Sequence, residues 1–273
     1  MPPKTSHRVK LDRAQHHLND LKVRISEWDK GDGYATWLEC DPDDPSYSFV
    51  KATADIPQEE FSPIIGDAIQ NLRASLDHLV FALSERHSGK LSKERAKVPK
   101  FPIFGCDDPQ PGERRFANAS KTALRFVSPE ALEVIEGLQP YQVAKISRGD
   151  ADYTDSHLWK LNQLSNIEKH QTIHLVGTAL TGIGFSPSTE KLLLDGEIGV
   201  YVAAAVQREA PATIARVPVR HTNPGGKMDV DVKPSLQIAF RDPPFPCFAV
   251  MEMLIGIYQY VAGGVLPRLE RFL

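Results

Sequence analysis

The chain has 273 residues, of which 41% are hydrophobic and 25% are charged, and its formal net charge is −3. This length allows a sizeable core, and the composition argues against intrinsic disorder. The slight negative charge argues against a protein that coats nucleic acid non-specifically, but it leaves room for a local basic patch. Such a surplus lies between Arg86 and Arg125, where there are ten Lys or Arg and four Asp or Glu.

The cysteines and the N-terminus indicate the compartment. Cys40, Cys106 and Cys247 are isolated, which is typical of reduced thiols and not of a disulfide framework or a zinc site. The first 17 residues contain no apolar stretch of the kind found in a secretory signal. We therefore expect a cytoplasmic protein with no metal and no other cofactor.

Apolar periodicity predicts a mainly helical first part, about residues 1–170. In chain order, the predicted elements are a helix over 7–29, strands over 34–40 and 47–54, a helix over 64–86, and helices over 113–125, 129–137 and 156–170. Pro63 is predicted to precede the start of the 64–86 helix. Prolines make residues 97–112 an irregular segment, which we expect Phe101, Ile103 and Phe104 to anchor in the core.

After about residue 170 the sequence pattern changes from helical to β. Four aliphatic runs punctuated by glycine predict an antiparallel sheet of strands over about 172–185, 190–195, 198–207 and 235–242. The stretch over about 247–272 is apolar almost all round, so it is predicted to be a buried C-terminal helix and not a membrane span. Together these elements predict one α+β domain over 1–273, a helical bundle packed with an antiparallel sheet, with the β-rich part over about 171–246.

The helix over 64–86 carries the first candidate site. Its apolar residues form one stripe, and its polar residues lie away from that stripe. Asp67, Asn71 and His78 share one face, and Arg73 and Asp77 are four residues apart and can pair. Asn and Asp are poor residues for a helix interior, which suggests that they serve something other than helix formation.

The Arg73-x4-His78 spacing resembles the active-site motif of the HEPN family, helical domains of which many are metal-independent ribonucleases. Ala74 stands directly after the arginine, where that family often has Asn or Asp. The resemblance covers this one helix and implies an RNA-binding or RNA-cleaving toxin or defence protein, with Arg73 and His78 as catalytic residues. The two side chains are about 140° apart on a straight helix, so both can reach one phosphate only across a groove or a homodimer interface.

The helix over 156–170 carries a second polar arc, formed by Asn162, Asn166, Lys169 and His170. If the two polar faces meet, their amides and imidazoles would satisfy one another or bind a ligand. These four residues and Asp67, Asn71 and Asp77 are therefore predicted binding residues. The segments 66–78 and 161–170 also resemble a group of bacterial proteins of unknown role, a resemblance that implies no activity.

Two other interpretations compete with RNA cleavage. A metal site would recruit His170 and His174 with His78, Asp67 or Glu168, but residues 172–176 look like a strand, which places the two histidines about 13 Å apart. In a non-enzymatic ligand- or protein-binding scaffold, the polar residues would form a structural hydrogen-bond network between helices. Arg73 would then pair with Asp77, and His78 would be a satisfied, half-buried histidine.

Overall fold

The computed structural model describes residues 5–31, 33–106, 110–146, 152–185, 199–200, 205–219 and 232–273. The protein is α+β, as its sequence predicts. In these ranges the helices are α1 Ser6–Lys30, α2 Gln58–Ser88, α3 Gly112–Lys121, α4 Pro129–Gly137, α5 Pro140–Ile146, α6 His157–His170, α7 Val250–Gln259 and α8 Leu266–Glu270. A π-helical segment over Tyr260–Val265 joins α7 to α8, and 3₁₀ turns occupy Arg95–Lys97 and Tyr153–Asp155.

The strands are β1 Tyr34–Cys40, β2 Tyr47–Ala54, β3 Leu175–Phe185, β4 Gly199–Val200, β5 Ala205–Val206, β6 Ala212–Pro218 and β7 Val232–Phe240. Two compact units contain these elements. The helical unit comprises residues 1–20, 63–172 and 252–273, and the sheet unit comprises residues 21–62 and 173–251. The expectation of one domain stays a prediction.

The apolar stripe of α2 forms the centre of the helical unit. Eight of its side chains are at most 2% exposed: Ile65, Ala68, Ile69, Leu72, Leu76, Leu79, Val80 and Leu83. Leu11, Ala14 and Leu18 of α1 and Leu158, Leu161 and Leu164 of α6 are buried in the same unit. The three- and four-residue spacing therefore identified the core face of each helix correctly.

The start of α2 differs from the prediction. The helix begins at Gln58, before Pro63, so the expectation of a start after the proline is wrong. Pro63 removes one backbone hydrogen bond, to the carbonyl of Glu59, and Glu59 is an exposed residue. The side chain of Gln58 holds this end in place, since its Nε2 donates to the Leu175 carbonyl at 2.6 Å and its Oε1 accepts from the Leu175 N–H at 2.9 Å.

All strand pairings in the sheet unit are antiparallel, in a four-stranded sheet of order β1-β2-β6-β4 and a three-stranded sheet of order β5-β3-β7. The β1–β2 hairpin has the predicted bounds, and alternate residues of β2 are buried. Strand β6 and helix α5 were not predicted. The strand expected over 190–195 lies outside the described residues.

The end of α3 differs from the predicted one. Helix α3 ends at Lys121, short of the expected residue 125, because Thr122 leaves the helical region of backbone angles. Helix α4 has the predicted bounds, with the Ser128 hydroxyl accepting from the Ala131 N–H. The irregular segment before α3 is anchored as expected by Phe101 and Ile103, which are 0% and 6% exposed, whereas Phe104 is half-buried.

The C-terminal stretch Val250–Glu270 is the one helical stretch in the described ranges whose length and mean hydropathy, 1.2 over its best window, would suit a membrane span. Core helices of soluble proteins have the same character. Seven of its side chains in the helical unit are at most 8% exposed: Met253, Leu254, Ile257, Val261, Val265, Leu266 and Leu269. Of the whole apolar window 39% is buried, so the stretch buries one face in this unit and leaves other residues, such as Ile255, exposed.

Candidate functional site

Arg73 and Asp77 hold the irregular segment that follows α2. The Arg73 Nη2 donates to the Phe101 carbonyl, and the Asp77 Oδ1 accepts from the Phe101 N–H at 2.8 Å. The two side chains also form an ion pair at 3.6 Å. Burial lowers the pKa of Arg73, and the carboxylate of Asp77 opposes that shift. The guanidinium thus binds the backbone of this segment through Nη2, while its buried Nη1 has no hydrogen-bond partner among the described residues.

His78 lies on the wall of an open pocket. Its Nδ1 is 2.5 Å from the hydroxyl oxygen of Ser6, the first residue of α1. The pKa of His78 lies below the ordinary histidine value, chiefly because burial disfavours its charged form, and Lys10 and His7 lower it further while Asp77 opposes them. The imidazole is therefore largely neutral at pH 7, which is the form that accepts a proton.

The pocket has a volume of about 550 Å³. One part of its lining is apolar, and another carries hydroxyl, imidazole and carboxylate groups. Its lining residues are Thr5, Ser6, His7, Asp77, His78, Phe81, Ala82, Glu85, Ala96 and Pro99. Pockets with apolar walls and a few polar groups are typical of small-molecule and active sites.

A second imidazole in the pocket lining contacts a carboxylate. His7 is 1% exposed, and its Nε2 lies 2.9 Å from the Oε1 of Glu270. Glu270 also accepts from Arg8, and although burial opposes it, these hydrogen bonds keep the pKa of Glu270 below its usual range. The same Nε2 also lies 3.1 Å from the Thr5 Oγ1, and the other ring nitrogen, Nδ1, is buried. That buried Nδ1 has no hydrogen-bond partner among the described residues.

Sequence reasoning missed Ser6, His7 and Glu270. Ser6 is 72 positions from His78, and His7 is 263 positions from Glu270. Ser6 and His7 precede the apolar repeat of α1, and Glu270 lies near the end of the C-terminal helix. No local spacing connects such residues, so only the packing of the helices brings them together.

A basic segment borders the pocket. We use this name for residues 90–100, which contain Lys90, Lys93, Arg95, Lys97 and Lys100 against Glu94 alone. All five cationic residues are exposed. Ala96 and Pro99 of the same segment line the pocket. An anionic polymer lying along this segment would therefore pass the pocket that contains His78.

The remaining predicted residues lie elsewhere. Asn166, Lys169 and His170 of α6 are exposed, Asn162 is half-buried, and no residue of α6 is among the lining residues of the pocket. Asp67 is exposed, and the Asn71 Nδ2 donates to the Asp67 carbonyl of its own helix at 2.8 Å.

Helices α2 and α6 meet through Gln70 of α2, which donates to Glu168 of α6. Gly66 allows that approach, since a Cβ there would lie 3.1 Å from the Glu168 Cγ. Gln70 and Glu168 belong to neither of the two polar faces that the sequence predicts. The structure therefore joins Asp77 and His78 at one pocket and leaves the polar arc of α6 outside it.

A smaller pocket of about 220 Å³ lies in the sheet unit. Among its lining residues, Arg208 pairs with Asp55 at 2.8 Å and His174 lies 2.7 Å from Asp242. Arg208 and His174 of this pocket therefore each lie next to a carboxylate. In the ranges that the structure describes, no three His, Cys, Asp or Glu side chains are grouped so as to hold a metal ion.

Comparison of the chain with protein-family models, with curated proteins and with solved structures finds no match. The resemblance to HEPN domains therefore stays a prediction based on Arg73 and His78.

Proposed function

We propose that this protein binds RNA and cleaves it without a metal ion, in the manner of HEPN-like toxins or defence proteins, with His78 as the acid–base catalyst. The observation that carries the proposal is the position of His78. The histidine of the Arg-x4-His motif lies on an open pocket, is largely neutral, and has the exposed basic segment at the pocket edge.

The chemistry requires one proton acceptor beside a ribose 2′-hydroxyl. His78 takes the 2′-proton while the 2′-oxygen attacks the adjacent phosphorus, and the bond from phosphorus to the 5′-oxygen breaks. The leaving 5′-oxygen takes a proton from water, so the products are a 2′,3′-cyclic phosphate and a 5′-hydroxyl end. The basic segment supplies the cations that attract the phosphates.

The Arg-x4-His motif predicts that Arg73 is a catalytic residue, whereas this proposal gives it a positioning role. Its Nη2 is occupied by the Phe101 carbonyl and lies 3.6 Å from Asp77, and its Nη1 is buried, so we assign it as a positioning residue. It fixes the segment around Phe101 and thereby the basic segment just before it. Direct binding of phosphate by Arg73 stays a prediction.

The test uses purified full-length protein, end-labelled single-stranded RNA and an excess of EDTA. We expect cleavage by the wild type and a loss of about 10²–10⁴-fold in rate for His78→Ala, the usual size of an acid–base contribution. The matched control is His87→Ala, since His87 is an exposed histidine on the same helix. Absence of cleavage by the wild type, or full activity of His78→Ala, would overturn the proposal.

Binding tests the basic segment separately. Replacing Lys93, Lys97 and Lys100 by Gln should weaken RNA binding and flatten its salt dependence by about 0.7 in logarithmic slope for each lost phosphate contact. Lys22 and Lys30 are exposed lysines of α1 outside this segment, and their replacement by Gln is the control. Equal losses in both variants would contradict a role specific to residues 90–100.

A non-enzymatic binding scaffold is the second candidate. The pairing of Arg73 with Asp77 favours it, because this interpretation expects that pair; their contacts with Phe101 are also structural, but they join α2 to the irregular segment and not to another helix. The scaffold interpretation predicts no RNA cleavage under any condition, with Arg73→Ala lowering the stability of the protein. The RNA assay with wild-type protein therefore discriminates between the two functions.

A further inference from the structure

Ser6 and His78 have the geometry of a nucleophile and its base. The Ser6 Oγ is 2.5 Å from the His78 Nδ1, and both residues line the pocket. Ser6 is an exposed residue, so its hydroxyl is accessible to a substrate. A serine hydroxyl is a weak nucleophile by itself, and an adjacent imidazole that takes its proton is the common way to activate it.

The surroundings of His78 favour its role as a base. The charged or titratable groups near it are Lys10, His7, Asp77 and, in the pocket lining, Glu85. A neutral imidazole has one donor and one acceptor nitrogen. With Nδ1 as the acceptor, the Ser6 hydroxyl donates to it, and proton transfer along that hydrogen bond leaves an alkoxide on Ser6.

The start of α1 supplies donors for a developing oxyanion. The first hydrogen bond of this helix runs from the Val9 N–H to the Thr5 carbonyl at 3.0 Å. The N–H groups of Ser6, His7 and Arg8 therefore have no partner within the helix. Unpaired backbone N–H groups next to a nucleophile stabilise the negative oxygen of a tetrahedral intermediate.

The lining also restricts the substrate. Phe81, Ala82, Ala96 and Pro99 provide an apolar surface for an acyl or aryl group. Asp77 and Glu85 line the same pocket, so a negatively charged group of any substrate is expected at the pocket edge, beside the basic segment, and not against these two side chains. An uncharged ester of moderate size meets both conditions.

We infer that Ser6 and His78 form a nucleophile–base pair that hydrolyses uncharged carboxylic esters. The Ser6 oxygen bonds to the ester carbonyl carbon while its proton passes to His78. The bond to the alcohol oxygen then breaks, and His78 returns the proton to that oxygen. Water attacks the acyl-Ser6 ester with His78 as base, releasing the carboxylic acid and restoring the serine. No metal, oxidant or second substrate besides water takes part.

A fluorophosphonate probe tests this inference without RNA, so its outcome is separate from that of the cleavage assay. The Ser6 oxygen displaces fluoride from phosphorus, and His78 takes the hydroxyl proton. We expect the full-length wild type to gain one adduct that peptide mass spectrometry places on Ser6. Ser6→Ala and His78→Ala should lose at least about 10²-fold in labelling rate, the size of an acid–base contribution.

The matched control is Ser26→Ala, because Ser26 is an exposed serine on the same helix and should not affect labelling. Hydrolysis of p-nitrophenyl butyrate by the same variants should follow the same order. An unlabelled wild type, an adduct on another residue, or equal labelling of Ser6→Ala would overturn the inference. Since Ser6 is exposed, its replacement by Ala does not put folding in question.

Discussion

Helices α2 and α6 carry similar polar residues but use them in different ways. On α2, Arg73, Asp77 and His78 all contact other parts of the chain, namely the Phe101 backbone and the Ser6 hydroxyl. On α6, Asn166, Lys169 and His170 are exposed. A polar residue that interrupts a helix pattern therefore indicates a site only when another segment packs over it, which is a property of the tertiary structure.

The largest expected difference between the two helices is in stability. Arg73→Ala should lower the free energy of unfolding by about 3 kcal/mol, because it leaves the Phe101 carbonyl and Asp77 without their buried partner. Lys169→Ala removes an exposed cation of α6 and should change it by less than about 0.5 kcal/mol. Urea unfolding monitored by circular dichroism gives both values, and equal effects would refute the contrast.

Two buried serines sharpen the comparison. Ser75 of α2 is 0% exposed and donates to the His7 carbonyl at 2.9 Å, whereas Ser165 of α6 is 1% exposed and its Oγ has no partner among the described residues. Ser75→Ala should cost about 1–3 kcal/mol, and Ser165→Ala should be neutral or stabilising by up to about 1 kcal/mol. The same unfolding measurement applies, and a larger loss for Ser165→Ala would contradict this account.

The titration of His78 provides a third comparison. NMR should place its midpoint below the ordinary value of 6.5, since burial and then Lys10 lower the pKa. Lys10→Gln should raise the midpoint, and the control Lys169→Gln should leave it unchanged. The pKa of His78 is lower in the folded state than in the unfolded state. Above pH 6.5 the protonation of His78 therefore does not change the free energy of unfolding. As the pH falls through 6.5 and below, the unfolded state takes up the proton first, so the free energy of unfolding decreases. An unchanged midpoint in Lys10→Gln would contradict the assigned cause.

The smallest effects concern the asparagines. Asn71 bonds only within its own helix in the contacts that the structure describes, and Asn166 is exposed. Replacing either by Ala should raise the free energy of unfolding by up to about 0.5 kcal/mol, because Ala has the higher helix propensity. Thermal unfolding of the two variants tests this. A decrease of more than about 1 kcal/mol in the free energy of unfolding of either variant would contradict this interpretation.

Much of the fold was predictable because its signals are local. The apolar stripe of α2 identified a buried face without error, and the turn between β1 and β2 identified a hairpin with the observed bounds. The start of α2 was predicted too late, because Pro63 is tolerated in an early turn whose end is held by contacts of Gln58 with Leu175, 117 positions away. Asp77 and His78, which the sequence analysis singled out, line the pocket, whereas its other wall begins at Thr5, which no local pattern singled out.

The sequence by itself determined most of the helices, the β1–β2 hairpin and which side of α2 is buried, because these follow from backbone sterics and from the spacing of apolar side chains. Only the tertiary structure decided that Ser6 lies against His78, that Arg73 is committed to a backbone carbonyl, and that the polar arc of α6 faces water. Those outcomes depend on contacts between residues tens to hundreds of positions apart. The free energy of such contacts depends on how the elements pack, which a local sequence pattern does not show.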